Sequence, residues 1–150
     1  MFFSDHGTPQ GWRNYHGYGV HTFKWVNKDG NFVYIKYHFL AKNGQKQFTD
    51  EEAVAMCGQD PDYSKRDLWE AIENGESVEW TAHVQVMEPD KADPDQLGFD
   101  PFDPTKVWPR SQFPLHEFGK IVLNKNPENF LRDLEQAAFS PGSMVPRIED

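Results

Sequence analysis

The sequence predicts an α+β fold: an open antiparallel sheet of four strands, three helices and three long irregular segments. Three observations carry this. Four stretches of seven to nine residues carry aromatic and β-branched side chains, the first of them alternating at the two-residue period of strands. Between the second and third of them lie two helix-start signatures, each followed by a glycine stop. And residues 88–109 hold five prolines and five aspartates, a composition that forbids long regular elements and marks an extended, ordered loop.

The first strand is expected at Val20 to Asn27, where His21, Phe23 and Trp25 alternate with Thr22, Lys24 and Val26. Lys28-Asp29-Gly30 then supplies a turn, since Asp-Gly tolerates positive φ. Phe32 to Leu40 follows as the second strand of a hairpin. Aromatic and β-branched residues on both of its faces imply that both are covered.

Thr49 with Glu52 three residues later is a capping box, and Gly58 is the expected stop of that helix. Ser64 with Asp67 opens a second helix, with Leu68, Trp69 and Ile72 as its apolar stripe and Asn74-Gly75 as its end. Trp80 to Met87 reads as the third strand. In the long loop, Phe99, Phe102, Val107 and Trp108 are the apolar residues expected to pin it down. Phe118 to Asn124 is the fourth strand. Asn126-Pro127 puts a cap and a first-turn proline at the head of a third helix, with Phe130, Leu131, Leu134, Ala137 and Ala138 as its face. The tail after Phe139, with Pro141, Gly142 and Pro146, is expected to be extended. Four antiparallel strands cannot close a barrel, so two edges stay open and apolar strands stay exposed. The 150 residues alone are therefore expected to aggregate or to depend on chaperones.

Composition excludes several functions. Lys and Arg number 15 against 24 Asp and Glu, a net charge of -9 that disfavours nucleic acid. No apolar run approaches the roughly 20 residues of a membrane span. Met1 to His6 has neither the basic region nor the cleavage site of a signal peptide. A single cysteine, Cys57, rules out an internal disulfide and fits a reducing compartment. Its neighbours Ala53, Val54 and Met56 give it a structural reading.

No catalytic site follows from residue patterns alone. The six histidines, His6, His16, His21, His38, His83 and His116, lack zinc spacing. Gly17-Tyr18-Gly19 is too short for a dinucleotide loop, and no nucleophile elbow is present. The acidic pairs Glu51-Glu52 and Asp60/Asp62 read as cap chemistry. His21 and His38 stand out because both fall inside expected strands. A strand histidine on an inward face needs a partner for each ring nitrogen, or a cofactor beside it.

Six strings nevertheless occur together and in order. FSDHGTP at Phe3 to Pro9 is similar to the FSDRGTP stretch of haem catalases, with His6 in place of arginine. GYGVHTFK at Gly17 to Lys24 resembles GYGSHTFK; Asp60 to Tyr63 with Arg66 to Leu68 resembles the DPDY and RDL helix. DPFD at Asp100 to Asp103 and TKVWP at Thr105 to Pro109 resemble the NPFD and TKVWP loop. Val122 to Phe130 resembles VLNRNPENYF, and Glu135 to Pro141 resembles EQAAFSP.

The resemblance to the haem catalase family spans essentially the whole chain, and everything in this paragraph is what it implies. The family fold is an eight-stranded antiparallel barrel followed by a wrapping segment that reaches a neighbouring subunit. Residues 1–124 would hold the second half of that barrel, four of eight strands, with inserted helices over 41–79; residues 125–150 would begin the wrapping segment. The activity implied is decomposition of hydrogen peroxide to water and oxygen at a haem iron, in a homotetramer of the peroxisome or cytoplasm. The distal His and Asn of the family fall before residue 1 and the iron-ligating Tyr beyond Asp150, so no catalytic residue is expected here. His21 matches a histidine that relays hydrogen bonds to the ligand tyrosine. Val20 takes a haem-wall position often held by serine, and Pro104 one where leucine is common. Ser4, Val107 and Trp108 match positions of an NADPH site. Its arginine, asparagine, lysine and histidine are replaced by His6, His16, Leu40 and Arg110, so NADPH is expected to bind weakly or not at all. Two alternatives remain: a non-enzymatic truncated remnant or interaction module, and a relative of the same fold that uses haem on lipid hydroperoxides.

Overall fold

The computed structural model describes residues 4–149; Met1, Phe2, Phe3 and Asp150, and with them the head of the first motif, lie outside the described residues. Six strands form one sheet. They are β1 (Gly17–Tyr18), β2 (Phe23–Val26), β3 (Phe32–Ala41), β4 (Val78–Met87), β5 (His116–Leu123) and β6 (Ile148–Glu149). The order is β5-β4-β3-β2-β6, with β1 paired to β3. β2 pairs antiparallel with β3, Phe23 opposite Ile35 and Val26 opposite Phe32, and antiparallel with β6, Trp25 opposite Ile148. The order has two ends, β5 and β6, as an unclosed sheet requires.

Three helices accompany it: α1 (Asp50–Gln59), α2 (Tyr63–Glu73) and the short α3 (Pro94–Leu97). The capping box at Thr49 forms as read. Thr49 accepts from the Glu52 N–H at 3.4 Å, and the Glu52 carboxylate accepts from the Thr49 N–H at 2.9 Å. Gly58 does not stop α1, which runs one residue further and closes on Asp60. Ser64 lies inside α2, whose cap position is Asp62. The stop at Asn74-Gly75 forms, with Gly75 at φ 84°, a conformation that glycine adopts without steric cost.

Two expectations fail for identifiable reasons. The first strand does not begin at Val20. The Gly19 N–H donates to the Tyr37 carbonyl at 2.8 Å, so close that a Cβ on Gly19 would lie 3.0 Å from the same oxygen. Val20, His21 and Thr22 then leave the ladder, and pairing resumes at Phe23. The third long helix is also missing, leaving one π-helical turn at Leu131–Glu135. Asn126 does not cap it; its side-chain amide donates to the Trp69 carbonyl (2.9 Å) and to Glu73 (2.8 Å) at the end of α2. Leu131 and Leu134 stay exposed, and an amphipathic helix without cover for its apolar face lacks the main source of its stability.

The chain forms two compact units. The first comprises residues 4–17, 39–81 and 119–137, the second residues 18–38, 82–118 and 138–149. In the first, Arg13 grips Asp67 with Nε and Nη2, both at 2.9 Å, and reaches Glu76 at 2.7 Å, tying the residue 12–14 turn to α2. In the second, Met87, Trp108 and Phe113 make a buried cluster packed by Tyr34, Ala92, Leu97 and Phe99. Of the four residues expected to pin the long loop, Trp108 is fully buried and Phe99 packs on that cluster. Val107 is 82% exposed and Phe102 46%, the latter standing edge-on to Tyr34 at 4.9 Å.

Candidate functional site

The second unit holds the positions that matter most. Val20, His21 and Thr22 form an irregular link between β1 and β2. Val20 and His21 are exposed, and Thr22 is half-buried. Thr22 Oγ1 donates to the Pro101 carbonyl at 2.8 Å. The same carbonyl accepts from Trp108 Nε1 at 3.1 Å, which closes residues 101–108 into a clip. Inside the clip, Asp103 accepts from both the backbone N–H (2.8 Å) and the hydroxyl (2.7 Å) of Thr105. These bonds, with Thr105 Oγ1 the first of them, hold the Asp103 carboxyl below its ordinary range. Pro104 sits exposed at the tip. Two solvent-facing apolar residues, Val20 and Pro104, and one accessible imidazole, His21, thus belong to stretches joined by a single side-chain bond. Val20 and Pro104 offer apolar surface of the kind a flat apolar cofactor packs against; among the described residues no group of three or more His, Cys, Asp or Glu side chains that could hold a metal ion occurs.

Behind the clip lies a buried polar network. His38 on β3 and Gln85 on β4 meet through Nε2 and Oε1 at 2.9 Å. The Gln85 NH2 donates to the carbonyls of Trp108 (3.1 Å) and Phe113 (2.6 Å), which orients the amide and leaves its oxygen facing His38. Nε2 of His38 therefore carries the proton. Burial holds the His38 pKa below its ordinary value; the Gln85 hydrogen bond opposes this, while Arg110, His83 and Lys36 reinforce it. Its Nδ1 has no hydrogen-bond partner among the described residues. Lys36, 3% exposed, donates from Nζ to the Lys106 carbonyl at 3.0 Å and lies 5.4 Å over the Trp108 ring. Burial lowers its pKa too, opposed by Asp103.

Of the two histidines singled out by strand position, only His38 lies in a strand, and it has one of the two partners it needs. His21 is exposed in the link. The positions matched to a nucleotide site are dissimilar. Ser4 belongs to the first unit and heads the residue 5–7 turn, its carbonyl accepting from the Gly7 N–H at 2.7 Å. Val107 is open to solvent, while Trp108 is wholly buried with its indole N–H and its carbonyl both engaged. His16 spends Nδ1 on the Ala41 N–H at 2.9 Å. Sequence reading passed over Thr22, Lys36 and Gln85. The available signal was a lysine between Ile35 and Tyr37 and a glutamine between Val84 and Val86, apolar surroundings in which burial demands partners.

Comparison with known proteins gives one consistent result. The family model described as Catalase matches residues 1–150. Peroxisomal catalase A of Saccharomyces cerevisiae is 49% identical over 149 residues, which cover 99% of this chain and 28% of the yeast protein. The catalase of Methanosarcina barkeri is 47% identical over 148 residues, covering 99% and 29%. Among solved structures, catalase A from Saccharomyces cerevisiae superposes with a TM-score of 0.93 at 50% identity, over 98% of this chain and 30% of that one. A bacterial catalase gives 0.92 at 42% identity, over 97% and 28%. The chain spans less than a third of the length of these relatives.

Proposed function

Because this chain belongs to the catalase family, we propose that it is the central stretch of a haem enzyme decomposing hydrogen peroxide to water and oxygen, inert when taken alone. The observation that carries this reading is the ordered identity along the whole chain, 47–49% over 148 or 149 residues with the two relatives named above. Haem, when bound, supplies the iron at which peroxide is split. Val20 and Pro104 form part of its apolar wall and exclude water from that face. His21 carries an imidazole that relays hydrogen bonds toward the group ligating the iron, which keeps that ligand anionic. Acid–base and ligating groups come from outside these 150 residues.

The complete protein assembles as a homotetramer in the peroxisome or cytoplasm; three relatives of this chain are named as peroxisomal. It holds NADPH weakly or not at all. The buried, fully bonded Trp108 and the use of His16 within the fold support that, as does the loss of an arginine and a lysine, of which Arg110 restores one charge. Neither nucleic acid nor membrane is a partner. The net charge of -9 supports the first, and no described helix is long and apolar enough to span a bilayer.

A chimera tests the reading. Residues 1–150 replace the matching stretch of yeast catalase A, and haem content and oxygen release from peroxide are measured. A haem-loaded, oxygen-evolving chimera is expected, alongside no oxygen from the isolated chain mixed with haemin. A folded, haem-loaded chimera that releases none, or gas release by the isolated chain, overturns it.

A further inference from the structure

The Pro101 carbonyl is a meeting point. Pro101 is less than 2% exposed, and its oxygen accepts from Thr22 Oγ1 at 2.8 Å and from Trp108 Nε1 at 3.1 Å. A carbonyl has two lone pairs, so both are engaged. One donor stands next to His21 in the chain. The other closes the clip that carries Pro104. We infer that Thr22 is a positioning residue, whose hydroxyl sets Val20 and His21 against the Pro104 clip and couples both to Trp108.

The clip can transmit a position because it is stiff. Trp108 Nε1 closes its base, the Asp103–Thr105 pair of bonds fixes its turn, and Lys36 holds the Lys106 carbonyl from β3. A displacement of the Pro101 oxygen therefore moves Pro104 with it. Among the described residues the link carrying Val20 and His21 has no such reinforcement: it has left the ladder after Gly19 and rejoins it only at Phe23. Without the hydroxyl, the link is held at its two ends alone and the Pro101 oxygen keeps one donor. That this clamp serves haem rests on the function proposed above; that the clamp exists does not.

The test uses Thr22→Val, which keeps the shape and removes the hydroxyl, with Thr22→Ser as the rescue. Two haem-free readouts on the chimera carrying residues 1–150 decide it. The first is the indole N–H resonance of Trp108, identified by its loss in Trp108→Phe. The second is hydrogen exchange in peptides 18–26 and 99–108. Thr22→Val is expected to shift the Trp108 resonance and to speed exchange in both peptides on the order of fivefold, the size of one neutral hydrogen bond. Peptide 49–73 stays unchanged, and Thr22→Ser restores both signals. Unchanged exchange in 99–108, or equal effects of valine and serine, overturns the proposal. Should Thr22→Val fail to fold, Trp108→Phe must loosen 18–26 as well as 99–108; loosening of 99–108 alone overturns it. In the chimera, Thr22→Val is expected to broaden the haem absorption band and Thr22→Ser to restore it. A chimera that takes up no haem in any form counts against the function, while the exchange data still decide the clamp.

Discussion

His38 Nε2 lies 2.9 Å from Gln85 Oε1, and the opposite end of that amide donates to the carbonyls of Trp108 and Phe113. One side chain thus fastens two adjacent strands to the loop behind the clip. Gln85 is 1% exposed, so none of the three bonds can be replaced by water when it is lost.

Gln85→Leu keeps the volume and abandons all three bonds, leaving one N–H and two carbonyls buried without partners. The expected loss is about 3 kcal/mol, since each orphaned group costs roughly 1 kcal/mol or more. Urea denaturation of the chimera carrying residues 1–150 and of its Gln85→Leu form measures it. A shift under about 1 kcal/mol, within the range of one ordinary hydrogen bond, sinks the claim that the network is an anchor.

The same network makes the fold sensitive to acid. Burial holds His38 below its ordinary pKa, with the cations Arg110 and Lys36 and the ring of His83 adding to the effect. The unfolded chain takes up a proton near pH 6.5, while the folded chain resists it. The unfolded state therefore binds more protons as the pH falls, and stability that is complete above about 6.5 declines below it. His38→Gln preserves a donor for Gln85 and cannot titrate. Its unfolding midpoint should fall less steeply than that of the parent between pH 6.5 and 5. Parallel slopes would mean that His38 is not the sensor.

The sheet, the capping box and the family motifs were legible because each is local. Thr49 and Glu52 find each other within one helical turn, and the aromatic and β-branched run from Phe32 to Leu40 is a property of the strand itself. The errors arose where a distant group competed. Asn126 read as a cap but was taken by Trp69 and Glu73, more than fifty residues away. Val20 to Thr22 read as strand but was drawn out of the ladder, with Thr22 bonded to a carbonyl 79 residues later. The candidate site was legible only by resemblance, which marked Val20, His21 and Pro104. The bonds that hold those positions come from residues whose identity alone carries no signal of partnership.

Gly11 supplies a second stability test. Its φ is 82°, and a Cβ there would lie 2.6 Å from the Asp67 carboxylate, which Arg13 holds in a two-pronged ion pair. The ψ of Gly11 is 157°, which puts it in a backbone region essentially reserved for glycine, so Gly11→Ala should cost about 3–4 kcal/mol, of which the backbone accounts for roughly 2. Placing it in an Asp67→Ala background removes the clash and keeps the backbone strain, so its cost there should fall to about 2 kcal/mol. Equal costs in the two backgrounds would show that Asp67 yields freely and that the Arg13 pair does not fix it.

Lys36→Met asks what a buried ammonium contributes. The lysine donates to the Lys106 carbonyl and sits over Trp108, gains of about 1.5–3 kcal/mol for a charged donor and about 1 kcal/mol for the ring contact. Against these stands the desolvation that lowers its pKa. Methionine keeps the ring contact apolar, removes the desolvation and leaves the carbonyl bare. A net loss of about 1 kcal/mol at pH 7 follows, small because two large quantities nearly cancel. The pH dependence separates them. Since the folded pKa lies below that of the unfolded chain, the parent sheds its buried charge first as the pH rises toward about 10.5, and it gains stability there. Methionine has no charge to shed, so the gap between the two proteins should widen from pH 8 to 10. A constant gap over that range, read from urea midpoints, would mean that Lys36 is already neutral or already solvated in the fold.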